Sequence, residues 1–204
     1  MTRWYTEKKK EHYYKQAKKQ GYRARSSFKL KQIQKKYGII SPGDTILDLG
    51  AAPGGWSQVS TEVTGKEGLV ISVDLERIYP IDNVIFYKGD ITDAATLQWI
   101  KDTIGSREVN VVLSDMSPNI SGNYSIDHAQ SIFLSEHALQ VVHALLTYRG
   151  NFICKVFMGE SLQDFSNKIK PFFQSVKHFS PPASRKRSSE IYTVSYTHLR
   201  AHET

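Results

Sequence analysis

The sequence predicts a doubly wound α/β fold with a mostly parallel sheet, and three observations support this prediction. Short, apolar, β-branched runs alternate with stretches of helical periodicity along most of the chain. The runs are almost continuously apolar, which is typical of strands buried on both faces of a parallel sheet. A glycine-rich turn follows the first run, where such folds bind a ligand beyond the carboxyl ends of their strands.

The predicted elements follow one another in a regular order. A first helix is predicted over 26–36 and is followed by the turn "YGIISPGD". Five parallel strands are predicted at 45–50, 69–75, 84–90, 109–116 and 151–157. Helices are predicted between and after them at 56–63, 94–104, 127–146 and about 160–173, and two short strands at about 175–179 and 190–196.

The chain of 204 residues has the length of one domain with an appendage. We predict a basic, helical N-terminal arm over 1–36, a main domain over 37–196 and a disordered tail over 197–204. The one cysteine, Cys154, excludes an internal disulfide, and the scattered histidines show no zinc-site spacing, so we expect no structural metal. Neither a signal peptide nor a run of 18 apolar residues is present, so we expect a cytoplasmic protein without a membrane partner. No obligate protein partner is indicated.

The net charge of +7 is unevenly distributed along the chain. Residues 1–36 hold 13 Lys/Arg and 2 acids, whereas the remainder has a net charge of −4. Tyrosines that could stack on unpaired bases lie among these lysines, namely Tyr5, Tyr13, Tyr14 and Tyr22. This asymmetry predicts nucleic-acid binding by the basic arm. The alternative is a solvated basic helix whose tyrosines pack on the domain.

The glycine-rich turn lies in the stretch "ILDLGAAPGGWSQ", residues 46–58. It contains neither the G-x-G-x-x-G pattern of a dinucleotide site nor the G-K-[ST] ending of a P-loop. Asp48 precedes the turn, Pro53 stiffens it, and its glycines allow a ligand to approach the backbone closely. The turn therefore favours a ligand that is gripped by backbone and has no phosphates.

Two further strands end in acids, Asp74 and Asp90. An acid after the second strand commonly accepts hydrogen bonds from ribose hydroxyls, and one after the third can accept from the amine of an adenine. Each could instead be a solvated cap at a strand end. Together with the turn, the two acids predict an adenosine ligand without phosphates, namely S-adenosylmethionine.

Two residues on the next strands are candidates for chemistry. Asp115 ends the fourth strand and faces the same crevice, and Lys155 lies within the apolar run "FICKVF". A lysine buried in a central strand is costly unless it is paired, and burial lowers the pKa of an ammonium group toward that of a working base. We predict that Lys155, beside Asp115, deprotonates a hydroxyl that attacks the sulfonium methyl group. The alternative is a snorkelling or structurally paired lysine.

Seven stretches match one known family in combination: "YRARSSFKL", "DLGAAPGGWSQ", "VDL", "GD", "SDMSPNISG", "CKVF" and "SSEIY". Their span reaches from the first helix to about residue 196. The sequence resembles the FtsJ (RrmJ, RlmE) family of RNA ribose 2′-O-methyltransferases, which have a Rossmann-like, seven-stranded sheet with an antiparallel last strand. The resemblance implies a catalytic tetrad at Lys29, Asp115, Lys155 and Glu190. It implies cofactor contacts at Gly54, Trp56, Asp74, Asp90 and Asp115.

The implied substrate is a uridine ribose of the large-subunit ribosomal RNA, within an assembled or nearly assembled subunit. The basic arm and the loop at 184–189 would then face the RNA. A tRNA-directed member of the same superfamily stays an alternative because it would share every catalytic residue. An RNA-binding assembly factor without turnover is disfavoured by the intact tetrad, and a nicotinamide dehydrogenase by the missing G-x-G-x-x-G pattern.

Overall fold

The computed structural model describes residues 12–185 and 188–196. Residues 1–11 of the predicted basic arm lie outside the described residues, as do Lys186 and Arg187 of the basic loop. The tail predicted over 197–204 also lies outside them. The fold and the site are therefore built from the remaining parts of the chain.

Seven strands form one sheet in the order β3-β2-β1-β4-β5-β7-β6. The strands are β1 (Thr45–Leu49), β2 (Leu69–Asp74), β3 (Val84–Lys88), β4 (Val109–Ser114), β5 (Leu146–Phe157), β6 (Ser175–Phe179) and β7 (Glu190–Tyr196). Strands β1 to β5 pair in parallel, whereas β7 runs antiparallel to both β5 and β6. The predicted doubly wound α/β fold and its antiparallel last strand are confirmed. The strand order reverses between β1 and β4, which is where this class of fold binds its ligand.

Strand β5 begins earlier than the apolar pattern predicts. Val109 of β4 pairs with Leu146, but Val111 pairs with Asn151, so the intervening residues of β5 bulge out of the ladder. Tyr148 on this bulge is 86% exposed, and Arg149 has a φ of 70°. The polar composition of the bulge conceals the start of the strand, because the continuous apolar run begins only beyond it.

The described helices lie on both faces of the sheet. They are α1 over 12–19, α2 (Ser27–Tyr37), α3 (Gly55–Thr64), α4 (Ala94–Ile104), α5 (Tyr124–Leu145) and α6 (Leu162–Ile169), and a 3₁₀ turn (Lys170–Phe172) follows α6. Helices α2 to α5 agree with the predicted ones to within three residues at their ends, and α1 lies in the basic arm, which was predicted to be helical, before the helix predicted at 26–36. No helix in the described part of the chain is long and apolar enough to cross a membrane.

Two apolar clusters fill the space between the helices and the sheet. One cluster contains Leu47 and Leu49 of β1 together with residues of α4, α5 and α6. The other contains Ile46 together with residues of α2 and α3, among them Ile33 and Trp56. Strand β1 is buried along its whole length, and the glycine-rich turn follows directly at its carboxyl end. Helix α2 packs into the core at the same time, and the domain boundary at residue 36 stays a prediction.

Candidate active site

The glycine-rich turn between β1 and α3 is hydrogen-bonded to the neighbouring strand β2. The backbone N–H groups of Gly50 and Ala51 donate to the Val73 carbonyl, at 2.9 and 3.2 Å. Gly50 has a φ of 76°, and a Cβ atom there would lie 2.6 Å from Cγ and 2.9 Å from Cα of Met116. Only glycine satisfies both the positive φ and this close approach, so the turn is fixed as a wall of the adjoining cleft.

A cleft with a volume of about 360 Å³ opens beside this turn, at the carboxyl ends of the parallel strands. The acids that line it are Asp74, Glu76, Asp90 and Asp115. Its other lining residues are Gly50, Ala52, Val73, Leu75, Gly89, Ile91, Met116, Ser117, Asn119 and Leu134. The volume is within the range of small-molecule sites, and apolar walls with a few carboxylates suit a nucleoside. The residues present therefore fit S-adenosylmethionine.

The first two acids of the cleft also shape its walls. Asp74 accepts hydrogen bonds from the backbone N–H groups of Ala52 and Glu76, both at 2.8 Å. Asp90 accepts from the N–H and the hydroxyl of Thr92, at 2.9 and 2.8 Å. These bonds tie each carboxylate to the loop that follows its own strand, and the Asp74 bond also ties it to the turn. Both side chains are thereby oriented before any ligand binds.

Two of the predicted cofactor contacts lie outside the lining of this cleft. Gly54 caps the N-terminus of α3 with a φ of 106°, and a Cβ atom there would meet Ile81 at 2.9 Å and Arg23 at 3.0 Å. Trp56 is 2% exposed, and its indole N–H donates to the Ser26 carbonyl at 3.0 Å. Their roles as cofactor contacts stay predictions.

The four predicted catalytic residues come together beside the cleft. Lys29 Nζ lies 2.9 Å from Glu190 Oε2, and Lys155 Nζ lies 3.2 Å from Asp115 Oδ1. Lys155 Nζ also donates to the Asp115 backbone carbonyl at 2.5 Å. Both lysines are only 5% exposed. The chain thus places two ion pairs side by side where little water reaches them.

One tyrosine joins the two ion pairs. Lys29 Nζ donates to the Tyr192 hydroxyl at 3.0 Å, and that hydroxyl donates to Asp115 Oδ1 at 2.7 Å. The Tyr192 side chain is fully buried, and its ring lies 5.6 Å from that of Trp56 between centroids. Lys29, Glu190, Tyr192, Asp115 and Lys155 therefore form one continuous network, which we call the Lys29–Lys155 network.

The antiparallel pairing of β5 and β7 sets the positions of three members of the network. Lys155 lies opposite Tyr192 in the ladder, and Phe157 lies opposite Glu190. Because side chains alternate along a strand, Glu190 and Tyr192 share one face of β7. Asp115 directly follows β4, where its N–H donates to the Leu49 carbonyl at 3.2 Å. Lys29 comes from helix α2, and its Nζ reaches Glu190 and Tyr192 of β7.

The electrostatics of the network favour charged carboxylates. Burial alone would raise the pKa of Asp115, but the ammonium groups of Lys155 and Lys29 and the Tyr192 hydrogen bond outweigh it and lower that pKa. Burial would likewise raise the pKa of Glu190, and the charge of Lys29 and its hydrogen bond hold that pKa below its ordinary value. Burial and the adjacent carboxylate of Asp115 raise the pKa of the Tyr192 phenol well above its usual range. Tyr192 is therefore a neutral hydrogen-bond donor.

Comparison with known proteins agrees with this arrangement. The sequence profile of the FtsJ-like methyltransferase family matches residues 22–198. The chain belongs to this family. A matching stretch of this length includes the turn, the cleft and all members of the Lys29–Lys155 network.

Several family relatives are close in sequence. Ribosomal RNA large subunit methyltransferase E of Methanocaldococcus jannaschii is 48% identical over 196 residues, which cover 94% of this chain and 80% of the relative. The protein of the same name from Methanobrevibacter smithii is 45% identical, with 95% of this chain and 92% of the relative covered. A candidate ribosomal RNA methyltransferase from Plasmodium falciparum has a crystal structure that superposes with a TM-score of 0.79. It is 27% identical, and the match covers 87% of this chain and 99% of that one.

Sequence reasoning within the family motifs missed Tyr192. The motif "SSEIY" contains it, but a tyrosine in an apolar strand is more often a core residue than part of a site. Its position two residues after Glu190 was the available signal, because this spacing puts both side chains on one face of a strand. The same two-residue spacing on β5, from Lys155 to Phe157, does not indicate a further site residue.

A further carboxylate lies beneath the turn of this FtsJ-like chain, on β1. Asp48 is fully buried; its Oδ2 accepts from the Ser57 hydroxyl at 2.6 Å, whereas Oδ1 has no hydrogen-bond partner among the described residues. Burial raises its pKa to about 7, and the negative charges of Asp115 and Asp74 add to this effect against the Ser57 hydrogen bond. Asp48 thus changes its protonation state near neutral pH, below the turn that forms the cleft.

Asp48 makes the stability of the protein depend on pH in a defined direction. Between its ordinary pKa and about 7 the folded chain binds a proton that the unfolded chain has lost, so the free energy of unfolding falls as pH rises. We expect the Asp48→Asn variant to lose this dependence, so that wild type loses on the order of 2–3 kcal/mol more than the variant between about pH 5 and pH 8. Urea unfolding at a series of pH values measures the difference.

The control is Asp102→Asn on the exposed side of α4, whose stability should follow the wild-type pH profile. Parallel pH profiles for wild type and Asp48→Asn would contradict the assignment of this titration to Asp48.

Proposed function

We propose that this FtsJ-like methyltransferase transfers a methyl group from S-adenosylmethionine to the 2′-hydroxyl of a uridine in large-subunit ribosomal RNA. The observation on which the proposal mainly rests is the position of Lys155: a buried amine, oriented by Asp115, at the edge of a nucleoside-sized cleft. The names of the relatives supply the RNA class, since they are called ribosomal RNA large subunit methyltransferases. The basic character of the N-terminal segment supports it.

Asp74 and Asp90 would hold the adenosine part of the cofactor, and the turn at Gly50 and Ala52 would hold it by backbone contact. When bound, the cofactor supplies an electrophilic methyl group on a sulfonium. Asp115 borders the cleft and belongs to the Lys29–Lys155 network as well, so it is the residue that joins the two halves of the site. Its negative charge would favour a positively charged sulfonium over the neutral thioether product.

Lys155 would accept the proton of the attacking 2′-hydroxyl. For this step the Lys155 ammonium group of the ion pair would first give its proton to solvent, and the resulting amine would then take the proton of the hydroxyl and become an ammonium group again. The Asp115 carboxylate, 3.2 Å from Nζ, stabilises that ammonium, and the Asp115 carbonyl at 2.5 Å fixes the direction of Nζ. The ribose oxygen would then be the nucleophile for the methyl group that the bound cofactor supplies, with the carbon–sulfur bond breaking and the neutral thioether leaving.

The other half of the network would position these groups. Lys29 is paired with Glu190 and bonded to the Tyr192 hydroxyl, and Tyr192 in turn donates to the carboxylate of Asp115. Tyr192 is buried and neutral, so it can fix the orientation of Asp115 without adding charge. Lys29 also brings a positive charge close to the oxygen that becomes nucleophilic.

A cationic pair next to the network suits an RNA phosphate. Burial and the positive charge of Arg185 lower the pKa of Arg25, and the negative charge of Glu190 opposes this effect. Two like charges gathered beside a catalytic cluster are costly unless an anion binds between them. We propose that Arg25 and Arg185 contact the phosphate backbone next to the target ribose.

The direct test is methyl transfer from labelled S-adenosylmethionine to purified large subunits, naked ribosomal RNA or tRNA, followed by mapping of ribose methylation. The proposal expects a 2′-O-methyluridine in the large-subunit RNA. Transfer to tRNA alone would instead support the tRNA-directed alternative. If no RNA is methylated although the cofactor still binds, the result would support the alternative of an RNA-binding assembly factor without turnover.

Substitution of Lys155 tests the proposed base. We expect Lys155→Ala to lower kcat by about 100-fold or more, because general bases contribute factors of this size. The dissociation constant for S-adenosylmethionine should change little, since Lys155 is not among the residues that line the cleft. Single-turnover methylation and calorimetric titration measure the two quantities. The matched control is Lys177→Ala on the exposed edge strand β6, and near-normal turnover in Lys155→Ala would refute the assignment.

Substitution of Arg25 tests the proposed phosphate contact. We expect Arg25→Ala to weaken RNA binding at all sequences and to lower the slope of log K against log salt by about 1. Filter binding of large-subunit RNA between low and physiological salt measures this slope. Lys66→Ala is the control, because Lys66 is exposed in the turn before β2, at the amino ends of the strands and therefore opposite the cleft. An unchanged slope in Arg25→Ala would remove Arg25 from the RNA contact.

A further inference from the structure

One aromatic side chain beside the Lys29–Lys155 network is exposed and yet fixed in position. Tyr124 begins helix α5 and is 59% exposed. Its hydroxyl donates to the Met158 backbone carbonyl, in the segment that follows the catalytic strand β5. An exposed ring in a soluble domain is usually mobile, whereas this one is held at both ends, by the helix and by this hydrogen bond.

The hydrogen bonds around Tyr124 place it at the rim of the active site. The Met158 N–H donates to the Ser189 carbonyl at 2.7 Å, and the next residue is Glu190 of the network. The Met158 side chain is itself 45% exposed. Tyr124 and Met158 therefore form a small, exposed apolar shelf beside the start of β7, where Glu190 of the network lies.

The surroundings of the shelf are rigid. His128, one turn along α5, is bonded through Nδ1 to the Phe157 carbonyl at 3.1 Å and accepts at Nε2 from the Ser161 N–H at 3.2 Å. Its ring is nearly parallel to that of Tyr124, with an interplanar angle of 8°. On the other side, Asp127 accepts from the N–H and the hydroxyl of Ser121, at 2.8 and 2.7 Å, which fixes the loop before α5. A platform built this way costs little conformational entropy when a ligand stacks on it.

We propose that Tyr124, together with Met158, is a stacking platform for an unpaired base of the RNA substrate, at or next to the methylated nucleotide. The inference rests on the proposed function, because the shelf has a use only if a ribose reaches Lys155. If a ribose lies at Lys155, its own base and the neighbouring bases lie close to it. Unpaired bases stack on exposed aromatic rings. The contact is independent of base identity, so it contributes affinity and orientation.

The kinetic test compares Tyr124→Ala with Tyr124→Phe in methylation of large subunits from cells that lack the corresponding methyltransferase. Stacking persists through the reaction, so its loss should raise KM for the subunits by about 5- to 100-fold and leave kcat nearly unchanged. The dissociation constant for S-adenosylmethionine should not change. Tyr124→Phe keeps the ring and loses the hydrogen bond to Met158, so it should retain a KM close to that of wild type.

The control is Tyr148→Ala, because Tyr148 is 86% exposed on the bulge near the amino end of β5, at the end of the strands opposite the cleft. It should behave as wild type in every measurement. Equal losses in Tyr124→Phe and Tyr124→Ala would show that the hydrogen bond to Met158 matters and the ring face does not, which would overturn the platform. An unchanged KM in Tyr124→Ala would overturn it as well.

A binding measurement separates failure of the platform from failure of the proposed function. A short single-stranded oligouridine with one 2-aminopurine should lose fluorescence on binding to wild type and Tyr124→Phe, and keep it with Tyr124→Ala. If no RNA is methylated but this quenching still depends on the ring, base stacking on Tyr124 is supported and only the proposed methylation falls. If wild type methylates RNA and quenching is equal in all variants, the proposed function stands and the platform falls.

Discussion

The whole site depends on the buried charge balance between two lysines and two carboxylates. Either lysine alone in this water-poor position would be expensive, and so would either carboxylate. Lys29 and Glu190 neutralise each other at 2.9 Å, Lys155 and Asp115 do so at 3.2 Å, and the Tyr192 hydroxyl joins the pairs. Because each charge is compensated by a neighbour on another element, the network also fixes how α2, β4, β5 and β7 meet.

The reversed direction of β7 is what makes this balance possible. A parallel strand at that position would present its amino end at the opposite edge of the sheet, away from Lys155. Running antiparallel, β7 begins with Glu190 at the catalytic edge and places Tyr192 directly opposite Lys155. The strand between β5 and β6 is therefore part of the candidate active site, although the pattern of its seven residues shows nothing of this.

The sequence alone predicted the sheet and the cleft better than the network. Apolar runs and the bare turn locate β1 to β4 and the acids Asp74 and Asp90, because the positions and ends of strands along the chain follow from local pattern. Lys155 stood out by itself, since a lysine within a buried strand is rare. Lys29 and Glu190 came only from the family resemblance, and Tyr192 was missed. These three act through contacts across more than 150 residues of chain, such as Lys29 with Glu190, which no local pattern encodes.

The N-terminal basic segment contacts the loop and the helix next to the cleft as well as carrying the proposed RNA contact. The Arg23 guanidinium donates to the carbonyls of Tyr79 and Pro80, in the loop after β2, and its backbone N–H donates to the Gln58 side chain on α3. The guanidinium group of Arg23 also packs closely against Gly54, where an added Cβ atom would lie 3.0 Å from Nη1 of Arg23. A displacement of this segment by RNA would therefore shift the loop and the turn that border the cleft. Because the same short stretch also includes Arg25, the proposed RNA contact would be linked to the geometry of the cleft through neighbouring residues.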